Sequence, residues 1–188
     1  PRGGRDNVIP NEAPGASVGT SKLRRELPKE PLDFVISSLL LRECYDCLMP
    51  CALESLHYIA AMPVAGFIVL DRISQVRLDV QRLTYVRGDI VDTTAVLVDM
   101  SDRGYALGVW SHCHPGEGGE CTRPSPTDLR HQRRLELGGY LCIGLIMTRD
   151  GSFRFFSDKL PFRMTVIGRD VSSIDRDLYR LDLEFTTD

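Results

Sequence analysis

No stretch of this chain is apolar for long enough to span a bilayer, and the N-terminal segment carries arginine with no apolar core behind it. Neither a transmembrane helix nor a signal peptide is therefore expected, and a cytoplasmic location is the default. Positive charge is not in excess: 23 Lys and Arg stand against 26 Asp and Glu, a net charge of -3. That removes the broad basic footprint of a nucleic-acid or anionic-membrane binder. Arg130, Arg133 and Arg134 remain as local points of contact. The six cysteines form no disulfide framework, since Cys44, Cys47 and Cys51 lie at helical spacing in an apolar segment and read as small core residues. A structural zinc site at Cys44-x-x-Cys47 is the second reading of these thiols, but it lacks a second CxxC. Histidine is also scarce, four in all, and two of the four are one residue apart.

What is present suits one buried domain: 188 residues, 43% hydrophobic, are enough for a single core and short for two. Residues 1–30, rich in Gly, Pro and charge with no apolar period, read as a tail, and 31–188 as the domain. A short extended run (Leu32 to Ile36) precedes a helix capped by Ser37 or Ser38 and running through Leu48. Ser55 to Ala61 suits a strand, Pro63 to Gly66 a turn, and Phe67 to Ile73 a second strand. Val76 to Val86 alternates charge with apolar residues and fits either a strand or an exposed linker. Asp89 starts a helix closing at Gly104, and further strands are expected at Tyr140 to Thr148, Ser152 to Phe156, Phe162 to Ile167 and Leu178 to Phe185. The order predicts an α/β sandwich with a central mixed sheet flanked by helices.

The stretch that carries chemistry runs from Trp110 to Asp128 and reads WSHCHPGEGGECTRPSPTD. If the apolar run from Ala106 to Trp110 is a strand, its period of two puts His112 and His114 on one face and Cys113 on the other. Pro115 ends the strand, while Ser125-Pro126 is a helix start, with Ser as N-cap and Pro at the first helical position. Asp128 then sits in the first turn, where its carboxylate can be aimed back at the two imidazoles. Two His and one carboxylate with a fourth position free is a donor set that catalytic zinc uses.

This pattern resembles the JAMM (MPN+) metallopeptidase family, whose motif is an upstream Glu, then His-x-His-Pro, then Ser-x-x-Asp. The matching residues are His112, His114, Pro115, Ser125 and Asp128, and the chain looks like a divergent, bacterial-type member. The interval from His114 to Asp128 is a few residues longer than is usual, and its Gly-rich loop suggests a flap beside the site. His57 stands where the family has Gly. The resemblance covers residues 32 to 168 and implies a cytidine-deaminase-like α/β fold, Zn2+ on His112, His114 and Asp128, and Glu54 as the catalytic Glu. Glu43 and Asp71 are weaker rivals for that role. It further implies a ubiquitin-like protein as substrate, cleaved after its C-terminal tail.

The chemistry expected of such a centre follows from charge. A divalent zinc with two neutral imidazoles and one carboxylate keeps a net positive charge, which brings the pKa of water there to around 7. Glu54 takes the proton of the attacking water and passes it to the leaving amine, and the Ser125 hydroxyl donates to the oxyanion. His131, one turn past Asp128, is a supporting residue at most. Two alternatives stand beside the enzyme: a non-catalytic MPN-type scaffold, and a RadC-like protein, suggested by the PSPTD ending and the Val69-Leu70-Asp71 run.

Overall fold

Residues 26–50 and 53–184 are described by a computed structural model; the expected tail, for residues 1–25, and Cys51 lie outside the described residues. β1 (Leu32–Ser37) leads directly into α1 (Ser38–Leu48), whose N-cap Ser37 accepts a hydrogen bond from the Leu40 N–H at 3.2 Å. α1 buries Leu40, Leu41, Cys44 and Leu48, one face of a helix. β2 (Leu56–Val64) and β3 (Phe67–Gln75) form a hairpin closed by Ala65 and Gly66, both with positive φ (49° and 89°). The expected turn is thus two residues shorter at its start, because Pro63 and Val64 stay in the strand.

Val76 to Val86 is neither one strand nor a linker. β4 (Leu78–Arg82) and β5 (Tyr85–Gly88) pair antiparallel as a separate two-stranded sheet. α2 (Ile90–Asp102) follows, with the Asp89 carboxylate accepting from the Val91 and Asp92 N–H groups. β6 (Ala106–Cys113) is buried from Leu107 onward, and α3 (Pro126–Leu137) opens on a capping box between Ser125 and Asp128. β7 (Ile143–Met147) begins three residues later than expected, with Tyr140 and Leu141 exposed ahead of it. β8 (Ser152–Phe156) and β9 (Phe162–Ile167) fall where expected. β10 (Val171–Asp175) was not expected at all, and β11 ends early (Leu178–Leu181), Phe185 being outside the described residues.

Nine of these strands form one mixed sheet in the order β10-β11-β8-β7-β6-β2-β3-β1-β9, with β1–β3, β1–β9 and β6–β7 parallel and the rest antiparallel. Each face carries its own core. Phe34, Ile59, Val109 and Leu145 pack with α1, while Tyr58, Trp110, Ile146 and Phe156 pack with α2 and α3. The alternation of Ile59 with Tyr58, and of Val109 with Trp110, is the period of two that a sheet covered on both sides demands. The α/β sandwich with a central mixed sheet flanked by helices is the observed fold. The sheet also curls: its two outermost strands, β9 and β10, are joined by only Gly168 to Asp170.

Candidate metal centre

β6 sets the site. Its register against β2 skips Gly108, a bulge where an added Cβ would lie 2.5 Å from that of Ala61. Beyond the bulge, Trp110 and His112 face α3, while Ser111 and Cys113 face the side of α1, where the Cys113 sulfur accepts from the Ser55 N–H at 3.3 Å. His114 lies just past the strand, its N–H bonded to the Met147 carbonyl at 3.0 Å before Pro115 ends the pairing. The two imidazoles therefore share a face, as the spacing predicts, and their Nε2 atoms are 3.0 Å apart.

Asp128 arrives from α3. At N3 of the capping box, its Oδ2 accepts from the Ser125 N–H at 2.7 Å while its own N–H donates to the Ser125 Oγ at 3.3 Å. The box turns the carboxylate to the imidazoles: Oδ1 lies 3.3 Å from His112 Nε2, and Oδ2 lies 3.4 Å from His114 Nε2. Among the described residues this is the group of His, Cys, Asp and Glu side chains that could hold a metal ion. Zinc-ligand bonds of about 2.0–2.1 Å set the donors of a tetrahedron roughly 3.3–3.4 Å apart, near the 3.0 Å between the two Nε2 atoms and the 3.3 and 3.4 Å from them to one or other carboxylate oxygen, so two imidazoles and a carboxylate suit such an ion. The chemistry of the atoms agrees. His114 donates Nδ1–H to the Cys121 carbonyl at 2.9 Å, which leaves a lone pair on the Nε2 that faces the centre. His112 has no such support, since its buried Nδ1 is without a partner among the described residues.

Burial holds His112 below its ordinary pKa against the pull of Asp128. It also opposes charge on His114, but the hydrogen bonds with Asp128 and the Cys121 carbonyl prevail and raise that group. Asp128 lies far below the carboxylate range, because bonds from His112 and His114 overcome its burial. Glu54 sits between α1 and β2, its N–H bonded to the Arg82 carbonyl at 3.0 Å, and it lines the same cleft as the three donors. Burial pushes its carboxyl up to about 7, with His114 pulling down and Asp128 pushing up. Ser125 lines this cleft too, so all five residues singled out in the sequence meet there; Glu43 and Asp71 do not. Asp71 instead bonds Arg72 and Tyr105 at the surface.

One feature escaped the sequence. The Trp110 ring stacks on His112, 4.9 Å between centroids and 4° between planes, and His131 stands edge-on to the same Trp110 ring at 4.6 Å. Trp110 Nε1–H donates to Gln132 Oε1 at 2.7 Å; Gln132 donates to Glu136 at 3.0 Å and to the Cys142 carbonyl at 2.8 Å. The signal was there: Asp128, Gln132 and Glu136, spaced by four, put a polar stripe on the inner face of α3. The Gly-rich loop, expected as a flap, is held at two points in this conformation. Gly119–Thr122 forms a 3-10 turn, the Gly118 N–H donates to Asp150 at 3.0 Å, and Arg154 donates to the Thr122 hydroxyl at 3.3 Å. His57, whose place on a strand reads as packed or surface and not as a ligand, is buried, with Nε2 3.3 Å from the Cys47 carbonyl and Nδ1 without a partner among the described residues.

Neither a protein-family model nor a curated protein matches the chain. Solved structures do. A protein from Desulfitobacterium hafniense, known from a solution structure, aligns over 72% of this chain and 94% of its own at 13% identity, with a TM-score of 0.51. A JAB1/MPN domain protein from Archaeoglobus fulgidus aligns over 71% of this chain and 98% of its own at 18% identity, with a TM-score of 0.43. At 13% identity the likeness to the Desulfitobacterium hafniense protein speaks to the fold alone. No helix among the described residues is long and apolar enough to cross a membrane.

Proposed function

We propose that the chain is a zinc-dependent metallopeptidase or isopeptidase of the JAMM type, acting on the bond that follows the C-terminal tail of a ubiquitin-like protein. The observation that carries this is the convergence of His112, His114 and Asp128 within hydrogen-bond range of one another, in a cleft shared with Glu54 and Ser125. When bound there, Zn2+ supplies a Lewis acid that polarises oxygen and brings the acidity of water toward neutrality. The residues do the rest. A carboxyl at about 7 exchanges a proton readily in either direction, so Glu54 takes it from the attacking water and returns it to the leaving amine. Ser125 holds Asp128 in place through the capping box and offers its hydroxyl to the carbonyl oxygen of the substrate. The loop from Gly116 brings Cys121 to the lining of the same cleft. The tail preference rests on the resemblance, since glycine lets a substrate backbone come close to the centre.

Two measurements test this. Elemental analysis of purified protein should give one zinc per chain, lost in His112→Ala; a variant that keeps full zinc rejects the ligand assignment. The zinc-loaded protein should cleave a ubiquitin-like protein fused through its tail to a reporter, and spare an unrelated unfolded peptide of equal length. Equal cleavage of both would mean a general peptidase.

A further inference from the structure

The cleft, about 630 Å3, runs on beyond the three donors. α3 contributes Asp128, His131 and Arg134 to its lining at three-residue intervals, and Tyr58, Trp110 and Ile90 also line it. Its charge is divided. The carboxylates in the lining, Glu54 and Asp128, belong to the centre, whereas Arg134 stands six residues further along α3, roughly 9 Å along the axis at 1.5 Å per residue. Leu56, Tyr58, Tyr85, Ile90 and Trp110 give the same lining an aromatic and apolar part.

Arg134 differs from the arginines beside it. Arg130 donates to the Thr127 hydroxyl at 2.9 Å, and Arg133 makes two bonds of 2.9 Å to Asp158. Arg87, also in the lining, is paired with Asp79. No hydrogen bond or ion pair holds the Arg134 guanidinium among the described residues. Helical side chains lean toward the N-terminus of their helix, which for Arg134 is the direction of Asp128.

We infer that this chamber receives the residue on the amine side of the cleaved bond, and that this residue is a chain-terminal apolar or aromatic amino acid whose free carboxylate pairs with Arg134. The inference rests on the hydrolase proposed above and specifies its leaving group. A guanidinium fork matches a carboxylate in shape and charge, and the aromatic wall suits an apolar side chain. The amine of such a residue is two bonds from its carboxyl carbon, so a carboxylate held by Arg134 keeps the nitrogen of the cleaved bond in the same cleft as Asp128. A lysine side chain of a folded target would bring four methylenes into the chamber and leave the guanidinium without an anion.

The test uses binding and cleavage together. Hydrocinnamate and hydrocinnamamide are titrated by calorimetry into the zinc-loaded protein and into its Arg134→Gln variant. Carboxylate should bind at least tenfold tighter than amide, and the variant should bring the two within about twofold. Equal binding by the unaltered protein overturns the inference. So does a preference that survives in the variant, because the carboxylate would then sit on the metal. In parallel, an acyl-Gly-Gly-Phe peptide with a free carboxylate should exceed its carboxamide tenfold or more in kcat/KM, a ratio that collapses toward one in Arg134→Gln. Arg134-dependent binding without hydrolysis of either peptide supports the chamber and counts against the hydrolase, so the two failures are told apart.

Discussion

At the scale of single residues, the site depends on polar groups placed where a helix ordinarily buries hydrocarbon. Glu54→Gln keeps the shape of the side chain but removes its capacity to take a proton. Turnover should fall about 10^2- to 10^4-fold while zinc stoichiometry stays at that of the unaltered protein. Unchanged turnover would remove Glu54 from the chemistry. Gln132 acts at one remove, holding the Trp110 ring that stacks on His112. Gln132→Met strands the Trp110 N–H, the Cys142 carbonyl and one bond to Glu136 in the interior. Each buried group left unsatisfied costs about 1–3 kcal/mol, so urea denaturation should show a large loss. Trp110 is the sole tryptophan, so its emission should also shift in the variant; a variant of native stability and emission would show the chain of bonds to be idle.

At the scale of elements, the loop from Gly116 to Arg123 and the turn between β7 and β8 stand or fall together through Asp150. Its carboxylate accepts from the Gly118 N–H, the Thr148 hydroxyl and the Ser152 hydroxyl, at 3.0, 2.8 and 2.8 Å. Burial opposes its charge, but these bonds win and bring its pKa from 3.8 down to about 2. A depressed carboxyl lends stability that is fully present above about pH 4 and lost as pH falls toward 2. Asp150→Asn should therefore flatten the acid limb of a stability-against-pH curve, and an unaltered limb would show that Asp150 contributes nothing to it. The elements that could be read from the sequence are those whose signals are local. The Ser37, Asp89 and Ser125 caps announced three helices, and His-x-His-Pro announced the end of β6. β10 could not be read, because an edge strand with Ser172 to Asp175 exposed carries no apolar alternation. The β4–β5 hairpin was blurred for another reason, since its strands alternate but Leu83-Thr84 carries no Gly, Pro, Asn or Asp to mark the turn, and the polar stripe of α3 reverses the usual rule for a helix face. Sheet order depends on pairings far apart in the chain, for which a single sequence holds no local mark.

At the scale of the molecule, the nine-stranded sheet is drawn around α1, and the connection from β9 to β10 ties it there. A Cβ at Gly168 would stand 1.8 Å from the Ser38 hydroxyl, at a φ of 153°. Asp170, two residues on, takes Arg42 of α1 at 3.2 Å and offers its carbonyl to the Asp182 N–H at 2.7 Å. Gly168→Ala must push the first turn of α1 away from this knot, a strain of about 1–3 kcal/mol. The melting temperature should drop by several degrees, at roughly 2–4 °C per kcal/mol for a chain of this size. An unshifted melting curve would mean that the connection is slack. The same wrapping has a consequence in time. β1 pairs over its whole length, Leu32 to Ser37, with Phe162 to Ile167, a partner about 130 residues later. On a ribosome adding roughly 5–20 residues each second, the opening strand waits many seconds for its neighbour, while the histidines and the hairpin between them are already outside the exit tunnel. The centre is thus laid down inside a half-walled chain, with the edge of β1 bare until β9 arrives, and that interval is when a newborn copy is most open to pairing with another.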